Sequence, residues 1–286
     1  MHPKVILNGK LTDATRARLP LASSAHLHGR GVFTTVAIYA GRPLLWPLHW
    51  ARLREGAERL GVELAPHDEE SVRADLLRLI EANGVGRGRA RVTLLARAAR
   101  GLWKLAGADA LASDLLLMTG EARAAENEVV ALTVSPYRVN TLSPLVGLKS
   151  VNYLEPVLAW EEARARDFDE AVRVNERGEV VSAAMANLFW VTDGRIHTPA
   201  LSTGALAGTT RDCCIDIARD LSVPLVEGVY ALHDLGEADE IFLSSAGLGI
   251  SLVTSFDFHT YTVSAGSVAA RVREAFRQVT LDKTKE

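Results

Sequence analysis

The sequence predicts a mixed α/β (α+β) chain of two domains, and three observations carry that expectation. Its 286 residues, 48% hydrophobic and 23% charged, supply ample core and suit two modest domains better than one. Short β-branched runs alternate with stretches of helical periodicity along the whole chain. Near the middle, Gly120 to Glu128 is small and polar, as an interdomain linker is. The expected division is a first domain at 1–119, a linker at 120–128 and a second domain at 129–286.

In the first half, Lys4 to Leu7 reads as a strand and Asn8-Gly9 as a turn, since that dipeptide tolerates positive φ best. The run Val32 to Tyr39 is β-branched and aromatic, breaks at Ala40-Gly41 and resumes at Pro43 to Leu45, which makes a hairpin. Leu53, Ala57 and Leu60 share one face of a helix over Leu48 to Leu60, with Gly61 placed to end it. A second helix runs from Glu69 to Ala82, capped by Asp68, burying Val72, Leu76, Leu79 and Ile80. Strands at Ala90 to Ala96 and Asp114 to Thr119 follow, on either side of a basic stretch from Arg97 to Gly107.

The second half opens with a strand, Val129 to Val134, and a loop to Gly147. Past Lys149 a helix extends to about Arg166, with Pro156 in its first turn because a deeper proline would break the ladder. Strands at Glu170 to Asn175, Val180 and Val181, Asn187 to Thr192 and Arg195 to His197 read as a mostly antiparallel meander. A helix from Gly208 to about Leu221, a strand Pro224 to Val229, a short helix His233 to Gly236 and a strand Glu240 to Leu243 come next. One β segment, Val253 to Val263, and a helix, Ser267 to Val279, end the chain.

Composition excludes several partners. A net charge of -3 and the lack of a basic run with interleaved aromatics argue against nucleic acid. No apolar run approaches the roughly 20 residues that span a bilayer, and nothing at Met1 to Lys10 resembles a signal peptide, so the expected location is cytoplasmic. Cys213 and Cys214 are adjacent in a helical pattern, where a disulfide is strained and a metal lacks further ligands; both read as buried thiols. No metal is expected.

Chemistry enters at Gly147-Leu148-Lys149-Ser150-Val151-Asn152-Tyr153-Leu154-Glu155. A lysine among apolar neighbours, just before a helix, loses hydration, which lowers its proton affinity and frees the amine as a nucleophile or proton shuttle. Two stretches read as anion holders. Gly208-Thr209-Thr210 precedes a helix, where unpaired amides and the dipole attract phosphate. Ser244 to Gly249 leaves a strand through small residues, so the amides of Ser244, Ser245 and Ala246 can close on an anion. Taken alone, each reads more simply as a plain cap or turn. Arg52 is a charge partner or a solvated helical arginine. His26 and His28 alternate on an extended segment and lack metal partners, which leaves a polar lining or packing role. Arg97 and Arg100 can clamp a substrate carboxylate or face solvent.

Taken in order, six stretches resemble the fold-type IV pyridoxal-phosphate enzymes: aminodeoxychorismate lyases, D-amino-acid aminotransferases and branched-chain aminotransferases. They are His28-Gly29-Arg30-Gly31-Val32-Phe33, His49-Trp50-Ala51-Arg52-Leu53, Leu148-Lys149-Ser150-Val151-Asn152, Ala186-Asn187-Leu188-Phe189-Trp190, Leu206-Ala207-Gly208-Thr209-Thr210-Arg211 and Ala238-Asp239-Glu240-Ile241-Phe242-Leu243. The resemblance implies a small N-terminal α/β domain and a larger β-rich C-terminal domain, with pyridoxal 5'-phosphate between them, in a homodimer. It implies that Lys149 carries the cofactor as a Schiff base and moves protons. By the same resemblance Arg52, Thr209, Thr210 and the turn Ser244 to Ala246 hold its phosphate.

Two departures stand out. The family normally has a glutamate five residues before the asparagine of Asn187-Leu188-Phe189, where it keeps the pyridine nitrogen protonated; here that position is Ser182. A hydroxyl can bond the nitrogen but brings no negative charge, so the protonated ring is less favoured. Glu179, three residues earlier, points to the other face of a strand. Thr34 and Arg30 stand where the family commonly has acidic residues. The resemblance then implies action on a small carboxylate-bearing amine or amino acid, first as a lyase of the aminodeoxychorismate type that releases pyruvate. The alternatives are an amino-acid aminotransferase, with Arg97, Arg100 or Arg138 holding the carboxylate and Tyr153 near the substrate, and a cofactor-holding protein with little turnover.

Overall fold

The computed structural model describes residues 1–65, 67–97, 112–122 and 129–282. Its contacts fall into two compact units, Met1–Arg123 with Leu148–Asn152, and Ala124–Gly147 with Tyr153–Asp282. The short lysine-bearing segment thus groups with the first unit.

The first unit holds β1 (Lys4–Leu7), β2 (Lys10–Asp13), α1 (Ser24–His28), β3 (Gly31–Tyr39), β4 (Arg42–Pro43), α2 (Trp46–Arg59), α3 (Glu69–Ala82), β5 (Gly88–Ala96) and β6 (Ser113–Glu121). Its strands form one antiparallel sheet in the order β2-β1-β6-β5-β3-β4. Asn8 and Gly9 both take positive φ, 51° and 76°, so the first hairpin turns as its dipeptide requires. The Asp68 side chain accepts from the Ser71 N–H and starts α3 where expected. Alternation on β3 sends Val32, Thr34, Val36 and Ile38 to one face, and the apolar members of that row join α2 and α3 residues such as Leu53, Ala57, Leu76 and Leu79 in one core. Phe33 and Thr35 occupy the other face.

His26 and His28 are a correction. They lie on the five-residue helix α1, both exposed, and not on an extended segment. Ser23 caps that helix by accepting from the His26 N–H, and Gly29 closes it at φ 64°, a local capping pattern that outweighs the alternation of two histidines.

The second unit holds β7 (Val129–Val134), α4 (Leu154–Ala165), β8 (Glu170–Val174), β9 (Val180–Ala183), β10 (Asn187–Thr192), β11 (Arg195–Pro199), α5 (Thr209–Asp220), β12 (Leu225–Gly228), α6 (Leu232–Gly236), β13 (Glu240–Ser245), β14 (Gly249–Phe256), β15 (His259–Thr260) and α7 (Val268–Asp282). Eight strands run β12-β11-β10-β13-β14-β7-β8-β9, and β15 pairs with β14. The expected meander is not the arrangement found: β9 and β10, adjacent in sequence, do not pair, β10 lies beside β13, and β7–β8, β7–β14 and β11–β12 are parallel. The single last β segment divides into β14 and β15 at a turn where Asp257 has φ 48°. One face of the sheet buries Val172, Val174, Leu188, Trp190, Ile241 and Leu243 in a common core. Against the other face of β8, Ala159 and Ala163 of α4 pack on Ala171.

Both cysteines are buried free thiols in α5. Among the described residues no helix is long and apolar enough to cross a membrane, and no group of histidines, cysteines and carboxylates can hold a metal ion.

Candidate active site

In the first unit the lysine segment lies along the start of β3 by backbone pairing. Phe33 N–H donates to the Lys149 carbonyl at 3.0 Å and Val151 N–H donates to the Gly31 carbonyl at 3.0 Å, with Val32 opposite Ser150. The Asn152 amide nitrogen donates to the Gly29 carbonyl at 2.6 Å. Gly29 is required twice over: its φ is positive, and a Cβ there would overlap the Asn152 side chain. Gly29 therefore seats the lysine segment, while Gly31 lets β3 lie against β5, since a Cβ there would come within 2.6 Å of the Leu94 carbonyl.

This seating places the Lys149 Nζ 4.6 Å from the centre of the Phe33 ring, and the Arg91 guanidinium 3.5 Å from the same ring. Burial first, then the positive charges of Arg52 and Arg91, push the Lys149 amine from its ordinary 10.5 down to about 7. Some surface of the whole residue remains accessible, so the desolvation acts on the amine end rather than on the stem. Arg52, from α2, donates to the Thr34 hydroxyl at 2.8 Å, and that hydroxyl lies 2.7 Å from His49 Nδ1. Burial, Arg52 and Lys149 together hold His49 well below its ordinary 6.5, so it is neutral and meets Thr34 without adding charge. Thr34, one of the two departures from acidic residues, thus serves as the hydroxyl that fixes Arg52.

The second unit assembles both anion-holding stretches around Asn187. Asn187 pairs with Ser244 across β10 and β13, and its amide nitrogen donates to the Leu206 carbonyl at 2.8 Å. Its side-chain oxygen occupies the space that a Cβ on Gly208 would need. Gly208 is the N-cap of α5 and no side chain caps that helix, while Thr209 and Thr210 are buried in its first turn. The buried Ser244 hydroxyl makes no regular hydrogen bond among the described residues and interacts with the Cys214 thiol, a weak partner. Ser245 accepts from the Leu248 N–H at 3.1 Å and shapes the turn that contains Ala246. A helix N-terminus without a side-chain cap, beside a buried hydroxyl on an adjoining strand, fits a phosphate.

Ser182 lies on β9, part-exposed, opposite Arg173 on β8. Glu179 is held by Arg177 and Asn175 and takes no place beside Ser182. Of the other candidates, Arg138 is exposed and Tyr153 is the part-buried residue at the start of α4. Arg97 donates twice to Asp114, at 3.0 and 2.6 Å, so its guanidinium is committed to β6; Arg100 lies outside the described residues. Sequence reasoning passed over His49, Arg91, Arg173 and the role of Asn187. The available signal was an arginine within a strand pattern, Arg91 two residues after Arg89 in β5 and Arg173 among the valines of β8.

The class IV amino-transferase model matches residues 31–256. The chain belongs to that family. It is 29% identical over 291 residues, 96% of each chain, to a protein of Methanocaldococcus jannaschii bearing the name of a branched-chain-amino-acid aminotransferase. It is also 27% identical to the aminodeoxychorismate lyase of Bacillus subtilis, over 96% of this chain and 94% of that one. Among solved structures, the branched-chain aminotransferase of Thermoproteus uzoniensis with norvaline matches at a TM-score of 0.90 and 28% identity, covering 99% of this chain and 96% of the other. The family places this chain among pyridoxal-phosphate-dependent enzymes with a mixed α/β fold of type IV.

Proposed function

We propose that the chain is a lyase of the aminodeoxychorismate type, which removes the enolpyruvyl group of its amine substrate as pyruvate. Two observations support this reading: a Lys149 amine lowered to about 7, and a serine, Ser182, five residues before Asn187 where the family usually has a glutamate. Pyridoxal 5'-phosphate, when bound, supplies an electron-accepting ring conjugated to the substrate's amine carbon. With the cofactor bound, Lys149 would hold it through its amine and, once the substrate amine has taken over that bond and freed the lysine, would take and return the proton at the substrate carbon, as an amine at about 7 can at neutral pH. Arg52, Thr209, Thr210 and the Ser244, Ser245 and Ala246 turn would hold its phosphate, and Ser182 would face the ring nitrogen. Without a carboxylate at Ser182, the ring stores charge less well, and an elimination that expels a good leaving group asks less of it than transamination does.

A cytoplasmic homodimer is part of the same proposal, as are a first domain at 1–119 and a cofactor domain at 129–286. The second reading is an amino-acid aminotransferase of the branched-chain or D-amino-acid type, favoured by the similarity to the Methanocaldococcus jannaschii protein. One experiment separates them: the purified enzyme is given aminodeoxychorismate with no keto acid acceptor and pyruvate is measured. Release supports the lyase. Failure to release it, beside conversion of the cofactor to its amine form by amino acids, would establish the second reading.

A further inference from the structure

Arg173 is the residue whose placement the proposed chemistry does not yet use. On β8, Glu170, Val172 and Val174 share one side, while Ala171 and Arg173 share the other. Antiparallel pairing sets Arg173 directly opposite Ser182, so the two side chains leave the same face of the strand pair. An irregularity in register follows, opposing Val174 to Val180, and it turns Val181 as well as Ser182 away from the Val172 core. Val181 packs instead with Val139 and Ala205, just ahead of the Gly208 cap, and Ala171 packs under α4. Ser182 and Arg173 therefore occupy the stretch of this face between α4 and the turn that leads to the phosphate-fitting helix.

A guanidinium here is costly. Arg173 is only 7% exposed, and burying a cation requires good pairing. Its partner is Glu155 at the start of α4, whose side chain is 57% exposed and whose charge water screens. The Arg173 Nε makes no hydrogen bond among the described residues. Glu170 does not offset the cation either: its carboxylate is on the other side of β8, accepting the N–H groups of Ala171, Ala184 and Met185. An apolar residue would avoid this cost, so the bearing of the cation is sought in what lies against this face.

We infer that Arg173 sets the charge state of the cofactor ring: its guanidinium, beside Ser182, keeps the ring nitrogen unprotonated, with the Ser182 hydroxyl donating to that nitrogen. This rests on the cofactor reading of Ser182 given above and deepens it. A nearby like charge disfavours the protonated ring, whereas a merely missing glutamate would leave the nitrogen free to follow the pH of the medium.

The test uses the enzyme loaded with pyridoxal 5'-phosphate labelled with 15N in the ring and observed by NMR at neutral pH. The wild-type nitrogen is expected at the position of an unprotonated pyridine. Arg173→Leu should move it upfield toward the protonated position, Arg173→Lys should hold it in place, and Ser182→Glu with Arg173→Leu should carry it furthest. A protonated nitrogen in the wild type, or an Arg173→Leu resonance that does not move, overturns the inference; should Arg173→Leu fail to fold, the wild-type and lysine spectra still decide. Borohydride reduction keeps the two ideas separate. If no reduced adduct forms on Lys149, the cofactor reading falls and the inference with it, whereas a normal adduct beside a protonated nitrogen sinks Arg173 alone.

Discussion

Replacing Arg91 by methionine removes one of the two cations that lower the proton affinity of Lys149 while keeping most of the bulk stacked on Phe33. Both charged groups lie over that ring, and their two centroid distances cap their separation at about 8 Å. At that separation, like charges in an effective dielectric between 80 and 20 repel by about 0.5–2 kcal/mol, roughly half a pKa unit to one and a half. The sign follows from charge: the protonated amine is the form that Arg91 opposes, so the Arg91→Met amine should hold its proton to higher pH. In the wild type, an amine at about 7 is about half neutral at pH 7, against roughly 3 in 10,000 for one at 10.5. Competitive acylation of the apoprotein across a pH series, quantified on the Lys149 peptide by mass spectrometry, reads that midpoint. A wild-type midpoint near 10.5 would refute the tuned lysine. An Arg91→Met midpoint that stays put or falls would refute the part assigned to Arg91.

Three further perturbations probe other parts of the site. Gly208→Ala forces a Cβ into the Asn187 side chain at the cap of α5, so the affinity for pyridoxal 5'-phosphate should drop by about tenfold, or about 1.4 kcal/mol, in a fluorescence titration; unchanged affinity would remove this helix from the phosphate site. Gly29→Ala combines a positive φ with overlap on Asn152, and should lower stability in urea by about 1–3 kcal/mol; a loss within error would show that the lysine strand tolerates another seat. His49 is held well below 6.5, so the unfolded chain binds the extra proton as pH falls through 6.5 and stability declines on acidification. His49→Gln should flatten the fall in urea midpoint between about pH 7 and pH 5, and a slope equal to the wild type's would mean that other groups carry it.

Local chemistry made much of the fold legible. The Asn8-Gly9 turn, the Asp68 cap, the span of α3 and the place of Pro156 in the first turn of α4 each follow from a few adjacent residues. Strand partners do not. Which strand lies beside β10 depends on β13, about fifty residues away, and nothing in the alternation of Asn187 to Thr192 encodes it. The site divides in the same way. Lys149, Thr209, Thr210 and Ser244 sit in recognisable motifs, whereas the hydroxyl that fixes Arg52 and the arginines at 91 and 173 reach their stations only through sheet register. Arg97 failed as a free clamp for a related reason, because its carboxylate partner, Asp114, comes from the next strand of the sheet.

The electrostatics of the two units push in one direction. Around Lys149 the named influences are burial and two cations, and the histidine behind Arg52 is held neutral. Beside Ser182 the nearest strand neighbour is again a cation, with its counter-charge out toward solvent. The first arrangement disfavours adding a proton to the amine, and under the proposed cofactor placement the second would do the same to the ring nitrogen. A neutral amine is a competent base, and an uncharged ring is a weak reservoir for electrons. That combination would suit a reaction in which proton removal is assisted and the electrons leave with the departing group, and would suit less well a half-reaction in which the ring must hold the charge until the proton is returned at a different carbon. The Ser182→Glu variant tests the same balance from the opposite side. With Arg173 present, the new carboxylate should pair with the guanidinium and gain the enzyme little transaminase activity, and only Ser182→Glu combined with Arg173→Leu should shift the chemistry toward amino-group exchange.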